Sequence, residues 1–578
     1  MKLKFFIPVF FVAVVALIAY SQTNRNAFSP AEDFPREALI YVQIADLPAF
    51  IKLWNESEFR GKYLESDNFH GFKNNHLGRK LTSRWEEFSG AAGFPIDLEA
   101  ISGLAQNRAA IALYDIGKLE FVFIAPLSDE IFAATKFAQN RGKFSEETLD
   151  DGTIVYRLPV EADRGRQKQE LIFTSMKGRF ILATSEKLLA GILNNINEKQ
   201  AKNRLIDEPS FSVLKDKIEP HIASVWINQA ALNHDYYFKR YWLMSEVEDL
   251  KNIRAGIFDF EMREGKLIER RRFLLNETVN VSQIKSSQAN ETLSFLPEDA
   301  PFYRLQSADV KTIDKAIRET LFERQISAKK NERRHYYFSY DEDYYEPGSY
   351  PYLGENFDES IDDIEDEETF EKNETDTDFS QFFQSAKPQA VLTFTAPKIL
   401  PAPMFVEFRR AAIFHLASPA GFNRESFEAA IAKKFSEQTM ISAPGVKLNW
   451  ETRRENDFSR RELRLPMLGW QASYVIRGNV LILTNNAEYL REIITARNPE
   501  KPADFNVSFS GLTVINLQQR ENAYDRIFAE LAEKNAADDF FTGNVKSLLD
   551  SASNAAKIEI RDNFSSKLYE QEIILTLK

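Results

Sequence analysis

The stretch LIFTSMKGRFILATSEKLLAGILNNI spans Leu171 to Ile196, and its order of residue types returns 300 positions later in QASYVIRGNVLILTNNAEYLREII, Gln471 to Ile494. Each copy has an apolar stretch, a basic residue followed by glycine, a second apolar stretch and a segment with apolar residues at helical spacing. Glycine accepts a positive φ and so permits a tight hairpin turn. Apolar residues three and four apart lie on one face of a helix. Each copy therefore predicts a hairpin that runs into a helix.

Other pairs of segments match in the same order along the chain. They are Ala45-Asp46 with Ala308-Asp309, Arg108 to Ile111 with Arg410 to Ile413, Tyr156 to Pro159 with Leu463 to Pro466, and Val225 to Asn228 with Thr513 to Asn516. Self-similarity in a constant order indicates an internal duplication. We therefore predict two related units, residues 34–290 and 291–578.

The predicted elements alternate between strands and helices, and most consecutive strands are joined by short turns. Helices are predicted from Ser128 to Gly142 and from Asn423 to Phe435, because each begins with a good N-cap residue. Each unit closes with a strand hairpin, which turns near Glu264-Gly265 in the first unit and near Asn563 in the second. We therefore predict an α+β fold of two related units, each a mostly antiparallel sheet packed with helices.

The closing hairpins carry a pattern of burial. In the second, apolar residues alternate with polar ones, which predicts a sheet with one buried face and one solvated face. The apolar positions are Ile558, Ile560, Leu568, Ile573, Leu575 and Leu577. In the first hairpin, the run Arg270-Arg271-Arg272 is expected on the solvated face.

The composition excludes several kinds of chemistry. The 578 residues include no cysteine, which excludes disulfides, thiolate nucleophiles and zinc sites built on cysteine. The formal net charge is −13, but the segment from Asp341 to Asp378 alone has 17 acidic residues against one lysine. The remainder of the chain is therefore nearly neutral, and we predict no nucleic-acid binding.

The acidic segment coincides with a stretch where the second copy is about 40 residues longer than the first. Its charges repel one another and aliphatic residues are scarce, so we predict a disordered insert at about residues 335–385. Seven tyrosines lie between Tyr336 and Tyr352. They leave two alternatives open, a partner-binding segment and a low-affinity divalent-cation site.

The N-terminus has the pattern of an export signal. Lys2 and Lys4 precede a mostly apolar run from Phe5 to Ala19, and Ala19 and Ser21 have the spacing of a signal-peptidase site. We predict that residues 1–21 are a signal peptide or a signal anchor, which would hold the chain in the membrane through residues 5–20. Residues 22–33 are predicted to form a flexible tether. The rest of the chain is then exported to the periplasm or the cell exterior.

Few segments resemble catalytic or metal-binding motifs. Ser212 and Lys215 match the Ser-x-x-Lys pattern of penicillin-binding-type serine enzymes, but the companion motifs are absent from the sequence. His70 and His76 are the nearest pair of histidines and lack the spacing of metal ligands. The aromatic-rich segment from Asn233 to Leu250 predicts a helix packed between domains, with a lipid or glycan groove and a membrane-surface contact as alternatives. We therefore predict no catalytic, cofactor-binding or metal-binding residues and no cofactor.

Several segments of the first unit carry a family resemblance. They are the opening Pro-x-x-Ala-Leu-x-Tyr-Val strand, GFPIDLEAISGLAQNRAAIAL from Gly93 to Leu113, the KGRFILAT hairpin, and PSFSVLKDKI followed by Val-Trp-Ile-Asn. Together they resemble the exported bacterial proteins grouped as domain of unknown function 3352, well over Phe34 to about Leu275 and loosely over the second unit. That family has no established activity, so the resemblance implies location and architecture and supplies no site residues. The acidic, Tyr-rich insert departs from the family pattern.

These observations predict an exported, non-enzymatic envelope protein that acts as an interaction or binding module. The alternative is a periplasmic carrier that holds an apolar ligand, a lipid or glycolipid, between sheet and helices. A serine hydrolase using Ser212 and Lys215 is the third alternative. The predicted partner is an envelope protein or ligand of unknown identity.

Overall fold

The computed structural model of the protein describes residues 30–65, 67–74, 76–160, 169–197, 203–215, 222–235, 252–263, 265–279, 281–298, 300–322, 377–399, 406–439, 448–455, 457–465, 470–497, 508–517 and 555–577. Four predicted segments lie wholly or mostly outside these residues: the signal at 1–21, the start of the tether at 22–29, the acidic insert up to 376, and the aromatic segment from 236 to 250. Within the described residues, no helix is both long enough and apolar enough to cross a membrane.

Strands follow one another along the described chain as β1 Ile40–Ile44, β2 Ala109–Asp115, β3 Glu120–Pro126, β4 Ser145–Thr148, β5 Ile154–Val160, β6 Gln169–Met176, β7 Arg179–Ala183, β8 Ala223–Ile227, β9 Ile253–Arg263, β10 Lys266–Leu275, β11 Phe302–Ser307, β12 Pro388–Ile399, β13 Val406–Leu416, β14 Glu451–Arg454, β15 Ser459–Leu465, β16 Trp470–Arg477, β17 Val480–Thr484, β18 Gly511–Asn516, β19 Ala555–Ser565 and β20 Leu568–Leu577.

The α-helices between them are α1 Leu47–Glu56, α2 Glu58–Leu64, α3 Asp67–Asn74, α4 His76–Ala92, α5 Leu98–Ser102, α6 Asp129–Ala134, α7 Lys136–Gln139, α8 Glu186–Asn197, α9 Pro209–Lys215, α10 Gln229–Leu232, α11 Ser286–Leu293, α12 Val310–Leu321, α13 Arg424–Thr439 and α14 Ala487–Thr495. Short 3₁₀ turns occupy Pro30–Glu32, Arg141–Lys143, Leu205–Asp207, Phe379–Phe383 and Pro419–Gly421.

The chain divides into two compact units. Unit 1 comprises Met1–Ser287, Glu298–Ser307 and Asp504–Lys578, and unit 2 comprises Gln288–Pro297 and Ala308–Ala503. The boundaries of these units differ from those of the units predicted from the sequence, residues 34–290 and 291–578. The reason is that β18, β19 and β20, close to the end of the chain, pair into the sheet of unit 1.

Both units are built on antiparallel sheets. In unit 1 the strand pairing runs β4-β5-β6-β7-β3-β2-β1-β8-β9-β10-β20-β19-β18-β11. In unit 2 it runs β14-β15-β16-β17-β13-β12. Helices pack against the buried side chains of these sheets. The predicted α+β class with antiparallel pairing is confirmed.

Both predicted hairpins form, with different turns. Lys177 and Gly178 both have positive φ, at 48° and 71°, as a type I′ turn requires. In the second copy the last strand pair before the turn is Arg477 with Val480. Gly478, at φ 57°, is therefore the first of the two turn residues. A positive φ at the first turn residue is the pattern of a type II′ turn. The glycine is therefore needed in both hairpins, but at the second turn position in one and at the first in the other.

The aspartates of the two predicted Ala-Asp pairs begin helices. The Asp46 carboxylate accepts a hydrogen bond from the backbone N–H of Ala49 at 2.9 Å, at the start of α1. Asp309 accepts one from the N–H of Thr312 at 2.7 Å, at the start of α12. A carboxylate at this position satisfies a free N–H and favours the positive end of the helix dipole. This sequence match therefore marks a helix start at both places.

Apolar side chains are buried on both faces of the unit 1 sheet. On one face Phe173 and Phe180 pack with Phe88 of α4, and on the other Ile181 packs with Ile192 of α8. Burial on both faces explains why β3 and β7 are almost continuously apolar. Unit 2 has its own core, which includes aromatic residues of β13, β16 and α13.

The predicted helix from Ser128 to Gly142 is wrong as a single element. Ser128 does cap α6, but the backbone at Thr135 is extended, and α7 starts after it. The Thr135 hydroxyl donates to the carbonyl of Phe132 and accepts from the N–H of Ala138, so it ends one helix and caps the next. A side chain that bonds to nearby backbone competes with the continuous helix in this way.

One of the sequence matches is also wrong. The segment from Ala109 to Ile111 lies in β2, which pairs with β1 and β3. The segment from Ala411 to Ile413 lies in β13, which pairs with β12 and β17 and so occupies the place that β3 has in unit 1. The shared Arg-Ala-Ala-Ile letters are therefore a coincidence of two buried strands with similar residues.

The closing hairpin of the chain turns later than predicted. Asn563 is still in β19 and pairs with Glu570, and the turn is made at Ser566 with a φ of 54°. The alternating pattern holds in part. Ile573 and Leu575 are buried, whereas Leu568 lies on the opposite face and packs against another apolar cluster. Apolar residues on both faces here mean that neither face is simply solvated.

Candidate functional site

Ser212 and Lys215 lie on α9, which packs into the core of unit 1 through Phe211 and Leu214. Both side chains are half-buried. Among the described residues no hydrogen bond joins them. Because they are three residues apart on one helix, the two side chains lie on the same face of α9.

The two histidines of the nearest pair, His70 and His76, lie on different helices. His70 is exposed on α3, with its ring 6.0 Å from that of Phe69, and His76 is the first residue of α4. In the described part of the chain, no three or more His, Asp or Glu side chains are grouped so that they could hold a metal ion.

The most unusual polar side chains of unit 1 lie in the middle of its sheet, on β10. Glu269 and Arg271 share the face of Leu267 and Phe273, and their relative exposures are only 2% and 1%. The prediction that Arg271 lies on a solvated face is therefore wrong. Arginine is almost never fully buried unless it is paired.

Arg271 is held by groups on two strands. Its Nε and Nη2 donate to the two carboxylate oxygens of Glu269 at 2.6 and 3.0 Å. Its Nη1 donates to Oε1 of Gln571 on β20 at 3.1 Å, and the guanidinium lies 5.8 Å from the ring centre of Phe258. Two parallel N–H bonds to one carboxylate are the strongest geometry for such a pair. The pairing offsets much of the cost of removing both charges from water.

The contacts continue from β20 to β19. Gln571 Nε2 donates to Asp562 Oδ1 and to the Tyr569 hydroxyl, both at 2.8 Å, and that hydroxyl donates to Asp562 Oδ1 at 2.7 Å. Burial, together with the Asp562 carboxylate, raises the pKa of Tyr569 far above its usual value. Burial also raises the pKa of Glu269, although the Arg271 cation opposes this. We call Glu269, Arg271, Asp562, Tyr569 and Gln571 the buried polar network.

The opposite face of the same strands has a different character. Arg270 contacts Glu261 at 2.7 Å and Glu572 at 3.4 Å, and Arg272 contacts Glu570 at 3.0 Å. Most of these side chains are partly exposed, with relative exposures from 17% for Glu261 to 33% for Glu570. Arg270 and Arg272 therefore do lie on a face that solvent reaches.

The pairing of charges extends onto β19. Arg561 contacts Glu559 at 2.5 Å and Glu572 at 3.6 Å, and Lys557 contacts Glu559 at 2.8 Å. Burial acts to raise the pKa of Glu559, but the Lys557 and Arg561 cations hold it below its usual value. We define the charged band as Glu261, Arg270, Arg272, Lys557, Glu559, Arg561, Glu570 and Glu572.

The charged band has a fixed arrangement of paired charges. Its members are four carboxylates, three guanidinium groups and one ammonium group. The side chains project from paired strands, so their spacing is fixed before a ligand arrives. The arginine run is visible in the sequence, but its ion-pair partners Glu570 and Glu572 could not be predicted, because they lie about 300 residues away along the chain.

A second buried charge lies at the start of the described chain. Pro30 and Ala31 are buried in a 3₁₀ turn. The Asp33 side chain is 7% exposed, with Oδ2 3.1 Å from Nε of Arg179. The predicted tether at 22–33 therefore ends earlier, because residues 30–33 pack into unit 1. Burial raises the pKa of Asp33 from its usual 3.8 to about 6, although Arg179 opposes this.

The raised pKa of Asp33 predicts a pH-dependent stability. Well below pH 3.8 the carboxyl is neutral in both the folded and the unfolded chain, so its contribution to stability is fully present. Between pH 4 and 6 the unfolded chain releases the proton first, and the free energy of unfolding falls. Asp33→Asn cannot ionise, so its stability relative to wild type should rise by about 2 to 3 kcal/mol between pH 4 and pH 7. Urea unfolding at both pH values measures this difference.

The exposed Asp150→Asn variant controls for the loss of one carboxyl group. If Asp33→Asn and wild type keep the same difference in stability at both pH values, Asp33 does not titrate in this range.

No protein-family model matches the chain, and no curated protein matches it. The chain is similar to solved structures of the protein TP0453. Crystal form III has 12% identity over 44% of this chain and 83% of that chain, with a TM-score of 0.24. Crystal form I has 10% identity over the same shares with a TM-score of 0.23, and crystal form IV has 9% identity over 43% and 81% with a TM-score of 0.24.

Proposed function

We propose that this protein is an exported, non-enzymatic binding module of the cell envelope, and that it binds another envelope protein through the charged band. The observation that carries the proposal is the row of partly exposed, paired charges across β9, β10, β20 and β19. The predicted signal peptide or signal anchor at residues 1–21 and the resemblance to domain of unknown function 3352 support the proposed location.

The charge pattern favours a protein partner. Cations and anions lie next to one another throughout the band, with Arg270 and Arg272 on β10 directly opposite Glu572 and Glu570 on β20. A surface of mixed charge attracts a partner whose charges alternate in the complementary sense and repels one whose charges do not. A uniformly charged ligand such as nucleic acid would meet as many repulsive as attractive groups.

We also infer that residues 34–290 and 291–578 derive from one duplicated unit. Matching strand positions support this. β7 lies between β3 and β6, and β17 lies between β13 and β16. β8 lies between β1 and β9, and β18 lies between β11 and β19.

A charge swap tests the binding surface. Arg272 and Glu570 are directly opposite each other, so Arg272→Glu combined with Glu570→Arg keeps the internal ion pair and reverses its direction. We expect the swapped protein to fold and to bind its partner at least about tenfold more weakly, because two of its charges then face partner groups of the same sign. The measurement is the yield of adduct formed by a membrane-impermeant crosslinker on intact cells.

The matched control is the same kind of swap outside the band, Lys433→Glu with Glu437→Lys, which exchanges an exposed pair on α13. Equal adduct yields for the two swaps would contradict the proposed surface. Labelling of the protein itself by a membrane-impermeant amine reagent tests export separately, so the two claims can fail independently.

A further inference from the structure

The two outermost strands of the sheets have free edges in the described structure. β4 is at one end of the unit 1 sheet and pairs there with β5 among the described strands. β14 is at one end of the unit 2 sheet and pairs with β15. All four residues of each strand are exposed. An edge strand presents unpaired N–H and C=O groups along its outer side, which can pair with another chain.

The charges of the two edges are opposite in sign. β4 reads Ser-Glu-Glu-Thr, with Glu146 and Glu147 at its centre. β14 reads Glu-Thr-Arg-Arg, with Arg453 and Arg454 at its end. Glu147 and Arg453 are about half exposed, and each has an ion-pair partner inside its own unit, Arg157 and Glu451. Glu146 and Arg454 have exposed side chains that can serve a second chain.

Charged edge strands usually prevent association between sheets. Here the charges prevent only some pairings. Two β4 strands would place glutamates opposite glutamates, and two β14 strands would place arginines opposite arginines, and like charges directly opposite each other destabilise a strand pair. An antiparallel pairing of β4 with β14 instead places Glu146 opposite Arg454 and Glu147 opposite Arg453, where opposite charges stabilise it.

We propose that β4 of one copy of this chain pairs antiparallel with β14 of a second copy, so that copies associate head to tail through their sheet edges. The backbone hydrogen bonds of strand addition supply the affinity, and the two Glu–Arg pairs supply the register. Such a contact uses different surfaces on the two partners, so it forms rings or open chains rather than closed pairs.

Charge reversal on each edge tests the proposal with the purified full chain. One variant carries Glu146→Lys and Glu147→Lys, and the other carries Arg453→Glu and Arg454→Glu. Light scattering should show that the weight-average mass of the wild type rises with protein concentration and exceeds the mass of a dimer. Each variant alone should stay monomeric, because its own two edges now have like charges. An equal mixture should associate again, because each edge of one variant now complements an edge of the other.

Several results would overturn the proposal. They are a wild type that stays monomeric up to the highest concentration, reversal variants that associate as well as wild type, and a mixture of two folded variants that stays monomeric. The Lys433→Glu, Glu437→Lys swap is the control for charge changes away from the edges and should associate like wild type. If losing the Glu147 contact to Arg157 disturbs folding, the single changes Glu146→Lys and Arg454→Glu give the same test. Added salt should weaken the association of the wild type.

Discussion

Replacement of Arg271 by leucine is expected to lower the free energy of unfolding by about 3 to 5 kcal/mol, because it leaves the Glu269 carboxylate buried without its cation. Both side chains are almost completely shielded from water, so solvent cannot take over the lost contact. The variant also removes the donor that Gln571 on β20 accepts from. Urea unfolding followed by circular dichroism measures the loss.

The double variant Glu269→Leu, Arg271→Leu shows whether the loss of stability in Arg271→Leu comes from the unpaired Glu269 charge or from the loss of the ion pair itself. Replacing a whole buried ion pair by apolar residues is often neutral or stabilising. The neighbours Leu267, Phe260 and Phe273 provide an apolar environment for the new side chains. We therefore expect the double variant to be much more stable than the single one. If the two variants lose the same stability, the unpaired Glu269 charge is not the cause.

Phe173→Ala is expected to lower the free energy of unfolding by about 3 to 5 kcal/mol, the usual cost of truncating a fully buried phenylalanine. Phe173 on β6 has no exposed surface. Its ring contacts five others, at centroid distances from 4.8 to 6.2 Å, namely Phe132, Phe137, Phe144, Tyr156 and Phe180. Removal of the ring leaves a cavity that these neighbours cannot fill without moving. Thermal and urea unfolding measure the effect.

The control for Phe173→Ala is Ile154→Ala on the adjacent strand β5. Ile154 is 43% exposed, so its truncation should change stability by no more than about 0.5 kcal/mol. If both truncations lower the free energy of unfolding by a similar amount, the packing of the aromatic cluster does not contribute to stability beyond what any residue of a strand contributes.

Local signals in the sequence predicted local structure well. The glycines of the two hairpins act through their own backbone neighbours, so the sequence reveals them without knowledge of the rest of the fold. The α+β class follows from many such signals together. Thr135 was missed because its hydroxyl can either point away from a helix or interrupt it, and the spacing of apolar residues is the same in both cases.

The faces of β10 could not be predicted for a different reason. Its sequence, KLIERRRFLL, has apolar residues on both faces, at Leu267 and Phe273 on one and at Ile268 and Leu274 on the other. Strand periodicity therefore does not tell which arginine is buried. The answer depends on the partner strand β20, and the sequence does not show which strands pair over such a distance.

The pairing of β10 with β20 has a consequence for the order of folding. The donor Arg271 and the acceptor Gln571 are 300 residues apart along the chain. At a synthesis rate of about 5 to 20 residues per second, β20 is made about 15 to 60 s after β10. During that interval β10 has its β9 neighbour but lacks its other one, and its outer edge, with Glu269 and Arg271 beside it, is open to water and to other chains. Contacts this distant also make folding slow. The nascent chain therefore needs protection of this edge until β20 has been made, and a truncation that removes β20 should leave β10 as a site of aggregation.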